Sequence, residues 1–311
     1  MEKILILKGG RSPERDVSLV SATAVAEELA KLGYNCVELD PADYPKLREM
    51  LAAIAEQDPA LIFNALHGGA GENGELQAVL EMTGWRFTGS GSKACMIAMD
   101  KYISKLLVSE EGIPVPKSIL MRYDMLLDYS DPADYQGFID RLSLPLIVKP
   151  VDAGSSVGIS LVESIDALKP AVDEAFQYCS QVLLEQYIPG AELTVTVING
   201  KAMPVVEIRP VTGWYDYRNK YTKGKTEYIA PAELPEEISE LLQLYAERIW
   251  LVMDLRQYAR IDFRYDGKKV WFLEVNTLPG MTSLSLTPMA ARAAGMSFGD
   301  LLQTIILSAN S

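Results

Sequence analysis

Residues 260–280 read RIDFRYDGKKVWFLEVNTLPG, and two alternating runs within them decide how the rest is understood. In the first, Ala259, Ile261 and Phe263 interleave with Arg260, Asp262 and Arg264. In the second, Trp271, Leu273 and Val275 interleave with Phe272, Glu274 and Asn276. A period of two marks strands, and Asp266-Gly267 between them marks a turn. One strand offers Arg260 and Asp262 on one face; the other offers Glu274 and Asn276. Where those faces coincide, the oxygens of Asp262, Glu274 and Asn276 converge beside a guanidinium, a donor set that suits Mg²⁺. A one-residue slip sends every side chain to the opposite face, so bringing Asp262 onto the face of Glu274 predicts an odd-length or bulged loop around residues 266–268. On an ordinary edge hairpin the same alternation gives only a solvated polar face. Pro279-Gly280 weighs toward a site, because a turn at a strand end can leave backbone N–H groups facing an anion.

The chain has 311 residues, room for two or three modest domains. A hydrophobic content of 49% and a charged content of 23% are those of a soluble globular protein. The formal net charge of −13 argues against a nucleic-acid or anionic-membrane surface, while leaving room for a local basic pocket. No apolar run reaches the ~20 residues that span a bilayer. The opening MEKILILKGG lacks a signal-peptide layout, so a cytoplasmic location is expected. Cys36, Cys95 and Cys179 are odd in number and far apart, which suggests neither a disulfide framework nor a zinc motif. The single histidine, His67, excludes a multi-histidine metal site.

Strand 3–7, helix 17–32, strand 36–39, helix 44–56 and strand 61–65 alternate as in a parallel α/β sheet, whose ligands lie at the carboxyl ends of the strands. Gly9-Gly10 and His67-Gly68-Gly69 sit at such ends, and Glu14 lies just before a helix, either as a dipole-favoured carboxylate or as a partner for an ammonium group. His67 is readable as a satisfied core histidine or as a ligand contact. Further on, a helix over 100–111 carries Lys101 and Lys105, and the apolar strand 144–148 ends at Lys149. A lysine in that position wants a partner such as phosphate. The Gly/Ser loop 152–158 can lay N–H groups over phosphates, although it is not a P-loop. Strand 182–185 leads into the extended run Glu185-Gln186-Tyr187-Ile188. Strands 193–198 and 201–208 are joined at Asn199-Gly200, a strong hairpin signal. Residues 209–231, with Tyr215, Tyr217, Lys220 and Tyr221, are too long for a casual connection and read as a lid. Helices over 236–255 and 297–307 complete the chain.

Taken together, GGRSPERDVSLVSA (9–22), HGGAGENGELQ (67–77), the AMDK ending at Lys101, VKPVDAGSSVGIS, YDYRNKYTKGKTEY, RIDF and LEVNTLPGMTSLSLTPMAA closely resemble the D-alanine–D-alanine ligases of the ATP-grasp superfamily, in order and spacing, over most of the chain. The resemblance implies an α/β, three-domain ATP-grasp architecture: an N-terminal parallel α/β domain (1–95), a central lobe (96–186), and a C-terminal catalytic lobe (187–311) with the lid 209–231, the two lobes sandwiching ATP. It puts Lys101, Lys149 and Lys220 on the phosphates, with Ser155 and Ser156 in the loop that closes over them. Glu185, Gln186, Tyr187 and Ile188 then meet the adenine and Glu192 the ribose. Asp262, Glu274 and Asn276 hold two Mg²⁺ ions, with Mn²⁺ able to substitute. Glu14, linked through Ser155 to Tyr221, binds the amino group of the first D-alanine. His67 and Tyr215 join that substrate site, and Ser285 and Leu286 take the second D-alanine. Arg260 and the Gly280 N–H serve the tetrahedral oxyanion. The implied chemistry is activation of a carboxylate as a D-alanyl phosphate, then attack by the second amine, for peptidoglycan precursors. A homodimer is implied as well. Two positions depart from the pattern: Leu284 stands where many members have His, and Asn73 where Asp is commoner. The alternatives are a ligase making D-alanyl-D-lactate or D-alanyl-D-serine, and a non-catalytic ATP-binding sensor.

Overall fold

The computed structural model describes residues 2–129, 131–154, 157–211 and 225–309. It contains three sheets. The first is parallel, in the order β2–β1–β3, from β1 (Lys3–Leu7), β2 (Asn35–Leu39) and β3 (Leu61–Asn64). Helices α1 (Arg15–Lys31) and α2 (Leu47–Gln57) are the crossovers, and α3 (Glu75–Thr83), α4 (Ser92–Met99) and α5 (Lys101–Glu110) follow. The alternation of β1 divides its side chains between two cores. Ile4 and Ile6 pack with Ala22, Val25 and Leu29 of α1, whereas Leu5 and Leu7 pack with Met50 and Ile54 of α2 and Leu76 and Leu80 of α3.

The second sheet is antiparallel, in the order β4–β7–β5–β6: β4 (Ser118–Arg122), β5 (Leu146–Pro150), β6 (Ser160–Val162) and β7 (Gln181–Gln186). Helices α6 (Gln136–Leu142) and α7 (Ile165–Ala175) cover the face that carries Leu146, Val148, Val182 and Leu184. Ile147, Lys149 and Glu185 are thereby left to the opposite face.

The third sheet runs β11–β10–β8–β12–β13, with β9 paired to β8: β8 (Ala191–Ile198), β9 (Lys201–Ala202), β10 (Val206–Pro210), β11 (Thr226–Ile229), β12 (Tyr258–Tyr265) and β13 (Val270–Asn276). Helix α8 (Glu236–Val252) covers its apolar face, where Leu193, Val195, Ile261, Phe263 and Phe272 meet Leu242, Ala246 and Ile249. Helices α9 (Leu286–Ala293) and α10 (Phe298–Ser308) close the chain. Leu301, Leu302, Ile305 and Ile306 of α10 pack into the same core as β1 and α1, so the end of the chain is seated on its first sheet.

The helix expected over 44–56 runs Leu47–Gln57 and that over 236–255 ends at Val252, and three expectations about strands and their loops change. The β12–β13 connection, residues 266–269, has an even length, held by Asp266, whose Oδ1 accepts from the Lys268 and Lys269 N–H groups. The register shift lies instead inside the pair: Asp262 faces Glu274 while Phe263 faces Phe272, leaving Leu273 as the extra residue of a β-bulge. Strand 201–208 is broken in two, because Pro204 has no N–H for the ladder. Strand 144–148 starts later, at Leu146.

Gly190, at the turn into β8, has φ +109°, and a Cβ there would overlap the Tyr265 carbonyl oxygen and lie 2.9 Å from the Asp266 Cα. Gly190→Ala is therefore expected to lower stability by about 2–3 kcal/mol, read as a drop in the urea midpoint.

Candidate active site

The polar face of the third sheet is set by cross-strand register. Glu192, Thr194 and Thr196 on β8 stand opposite Arg264, Asp262 and Arg260 on β12, and Glu274 and Asn276 on β13 stand opposite Asp262 and Arg260. Directly opposed residues share a face, so the bulge at Leu273 delivers the convergence that the sequence pattern called for. The Arg260 guanidinium donates to both Asp262 oxygens at 2.9 Å, Thr194 Oγ1 donates to Oδ1 at 2.6 Å, and Asn276 Nδ2 donates to Oδ2 at 2.9 Å. Asp262 and Arg260 are each 8% exposed.

Facing this set, Lys101 opens α5, whose N-terminus is capped by Asp100 accepting from the Tyr102 and Ile103 N–H groups. Lys101 Nζ donates to the Ala153 carbonyl at 2.8 Å and lies 3.6 Å from Glu274 Oε2. Lys149, on the uncovered face of β5, reaches Glu185 Oε1 at 2.7 Å. Lys105 lies 3.1 Å from Glu185 Oε2 and donates to the Leu273 carbonyl at 2.7 Å. The buried partner of Lys149 is thus a carboxylate. Burial pushes the Lys105 ammonium down to about 8 against the pull of Glu185. Burial alone would raise Glu185, but Lys105 and Lys149 hold it below the usual carboxylate range.

Glu192 pairs with Arg264 at 2.8 Å. Burial pushes its carboxyl up to about 7; Arg264 opposes this, while Asp262 and Glu274 push it further in the same direction. The rise is thus mainly a matter of burial, with Arg264 the strongest of the charges around the carboxyl. Among the described residues no group of three or more His, Cys, Asp or Glu is arranged around a metal position. The donors here are two carboxylates and an amide.

One cavity is lined by Glu14, Lys101, Lys149, Gly154, Glu185, Gln186, Tyr187, Ile188, Glu192, Arg260, Asp262, Arg264, Glu274 and Asn276. A second holds Glu14, His67, Arg260, Asn276, Gly280, Ser285 and Leu286, with the exposed Leu284 at its edge. Glu14, Glu72, Arg260 and Asn276 line both, so the two cavities meet at those side chains. Ser155, Ser156, Tyr215, Tyr217, Lys220 and Tyr221 lie outside the described residues.

Glu14 sits at the head of α1, its N–H donating to Ser12 Oγ at 3.1 Å and its carbonyl accepting from the Ser18 N–H at 3.1 Å. Gly9 N–H donates to Ser18 Oγ at 2.8 Å and Gly10 N–H to Asp40 at 3.0 Å, while Arg15 binds Asp40 at 2.6 Å. His67 is hydrogen-bonded on both sides, as the core reading expects, and it also faces a cavity. Its Nδ1 lies 2.9 Å from the Leu278 carbonyl and its Nε2 3.0 Å from Ser21 Oγ, yet it lines the second cavity. Sequence reasoning missed Thr194, Arg264 and Glu72. Alternating threonines in LTVTV were the signal for the first. Glu72 accepts from the Gly68 N–H at 3.1 Å and the Leu278 N–H at 3.4 Å, and nothing local in the sequence announces that role.

Two antiparallel sheets sharing one cavity, one presenting Lys149 and Glu185 and the other Asp262 and Glu274, with Lys101 reaching in from α5 and a parallel α/β unit ahead of them, define an ATP-grasp protein. Residues 107–307 match the family model described as the D-ala D-ala ligase C-terminus. A D-alanine–D-alanine ligase of Syntrophotalea carbinolica is 39% identical over 309 residues, covering 99% of this chain and 96% of its own. That of Gloeobacter violaceus is 40% identical over 306 residues, covering 98% of each. The crystal structure of the Bacillus anthracis D-alanine–D-alanine ligase complexed with ATP superposes with a TM-score of 0.85 at 30% identity, covering 100% of this chain and 98% of that one. The VanG D-Ala:D-Ser ligase of Enterococcus faecalis gives 0.84 at 29% identity, covering 99% of each. The chain belongs to the D-alanine–D-alanine ligase family.

Two outcomes test these electrostatics. Lys105→Met leaves two backbone carbonyls and a buried carboxylate short of a donor, and is expected to cost on the order of 3 kcal/mol in the urea midpoint. Glu192 titrates near 7 in the folded chain against 4.5 ordinarily, so the folded state binds more protons between those values. Its contribution to stability is present below 4.5 and lost as pH rises through 7. In nucleotide-free protein, the Tm of Glu192→Gln relative to wild type is expected to rise across that window.

Proposed function

We propose that this chain is an ATP-dependent, ADP-forming ligase that joins two molecules of D-alanine for peptidoglycan precursor synthesis. The observation that carries it is the meeting of the two cavities at Glu14, Arg260 and Asn276. A nucleotide in one and an amino acid pair in the other bring phosphate and carboxylate together there.

In this reading Lys101 and Lys149 hold the phosphates of ATP, and residues 186–188 offer backbone and side chains to the base. Glu185 Oε2 supports a base contact: among the described residues it has no hydrogen bond of good geometry, only the ion-pair approach of Lys105. A buried acceptor of that kind suits an exocyclic amine. Glu192 takes the sugar hydroxyls. Glu14 holds the ammonium of the first D-alanine, with His67 beside it, which leaves that substrate's carboxylate toward the phosphate. Ser285 and Leu286, at the start of α9, receive the second D-alanine. Arg260 and the Gly280 N–H then donate to the oxyanion formed when its amine attacks the acyl phosphate, stabilising charge that exists only in the transition state.

Asp262, Glu274 and Asn276 fit Mg²⁺ or Mn²⁺ by donor chemistry, with the remaining ligands drawn from phosphate oxygens, and such ions would offset charge on the transferring phosphoryl group. Ser155, Ser156, Lys220, Tyr215 and Tyr221 belong to the same reading as the loop and lid that exclude water from the acyl phosphate. Three lobes divided near Cys95 and Gln186 go with it, supported by the three separate sheets. So do a homodimer and a cytoplasmic location. Among the described residues no helix is long and apolar enough to cross a membrane.

The test is ADP release with ATP, Mg²⁺ and D-alanine, D-serine, D-lactate or L-alanine, with products identified by mass. D-alanyl-D-alanine from D-alanine alone is the expected product. A product found only in mixtures with D-lactate or D-serine would replace this reading by a depsipeptide or mixed-dipeptide ligase. Asp262→Asn, of the same shape, is expected to bring turnover to background while the chain stays folded, at a cost in stability of about 3 kcal/mol, because the buried Arg260 guanidinium loses its carboxylate partner.

A further inference from the structure

Arg264 has no part in the mechanism above, yet it occupies the wall of the first cavity. It stands directly opposite Glu192 across β12 and β8, on the same sheet face as Asp262. Its Nη2 donates to Glu192 Oε2 at 2.8 Å and its Nη1 to the Gly190 carbonyl at 3.0 Å. The two side chains are 14% and 15% exposed, unlike the solvent-screened surface pairs that contribute little. One guanidinium thus grips both the carboxylate and the turn that connects β7, with its run 186–188, to β8. That turn has no slack, since Gly190 lies against the Tyr265 carbonyl at the end of β12.

The grip has a consequence for what Glu192 can bind. One carboxylate oxygen is taken by Arg264, and among the described residues Oε1 has no hydrogen bond. An ionised carboxylate is an acceptor only, and a single fixed oxygen can accept from two neighbouring hydroxyls. Glu192 loses ion-pair support without Arg264, because its other charged neighbours on this face, Asp262 and Glu274, are acids and Arg260 is a weaker influence.

We propose that Arg264 is a positioning residue for sugar recognition: it fixes Glu192 so that its second oxygen accepts from the vicinal 2′- and 3′-hydroxyls of the nucleotide. The inference rests on the nucleotide reading of the first cavity. Arg264 touches no reacting atom. Its effect is on discrimination between nucleotides, and the chemical step is left unchanged.

Calorimetric binding of ATP, 2′-deoxyATP and 3′-deoxyATP to the full chain, without amino acid, separates the possibilities. Wild type is expected to prefer ATP over each deoxy analogue by about 10-fold to 100-fold, the range for a hydrogen bond to a charged group. In Arg264→Met that preference is expected to shrink to within about threefold, because ATP, which makes both hydroxyl contacts, loses more than analogues that make one. In steady-state assays the KM for ATP rises and kcat holds. Arg264→Lys, which keeps the cation, is expected to restore part of the preference. If Arg264→Met does not fold, Arg264→Gln, which keeps a donor for the Gly190 carbonyl without the charge, is read in its place. A preference unchanged in the neutral variant, or an equal loss for all three nucleotides, overturns the inference while the nucleotide reading stands. A wild-type chain that binds none of the three overturns both.

Discussion

The site depends on one extra residue. Leu273 bulges out of β13 opposite the step from Asp262 to Phe263, and that shift makes two requirements compatible. On its apolar side, Phe272 must meet Phe263 in the core beneath α8; on its polar side, Glu274 must meet Asp262. With an even hairpin loop and no bulge, one of the two would be reversed. β13 is also the edge of its sheet, and at the bulge Lys105 donates from α5 to the Phe272 and Leu273 carbonyls. A register irregularity, a buried lysine and an acidic pair are thus one structural unit.

The charges around it are arranged as alternating partners. Lys105 and Lys149 flank Glu185, Arg260 and Asn276 flank Asp262, and Arg264 faces Glu192. Few of these groups are solvated, so each would be costly alone. Their mutual satisfaction lets a cavity wall hold so many ions and remain ordered. It also keeps these side chains in place before any ligand arrives, which is the condition under which electrostatic stabilisation by a protein is most effective.

Much of this was legible in the chain. Period-two alternation identified β12 and β13 and the side chains that share a face, and Gly9-Gly10 and His67-Gly68-Gly69 do follow the ends of β1 and β3, with His67 on a cavity wall. The need for a register shift was legible too, because it follows from parity. Its position was not: whether the extra residue sits in the loop or the strand is decided by which apolar side chain the core accepts, and Asp266 closes an even loop with its own side chain. The partner of Lys149 was out of reach for a similar reason. Glu185 lies 36 residues away, and the pairing is made by the β5–β7 register. Glu72 and Arg264 were given no role from the sequence, since what distinguishes them is the element that packs against them.

His67 carries a last consequence. A carbonyl can only accept, so the Leu278 oxygen requires a proton on Nδ1, and Nε2 of the neutral ring then accepts from Ser21. Ser21 belongs to α1, His67 to the end of β3, and Leu278 to the loop that follows β13. Three stretches far apart in the chain are therefore spliced by one imidazole in one tautomer. Because the third partner is a backbone carbonyl, which any residue supplies, an exchange of the first unit between relatives keeps the splice wherever the incoming stretch brings both Ser21 and His67. The module boundary is thus crossed by a hydrogen bond whose far end is independent of sequence.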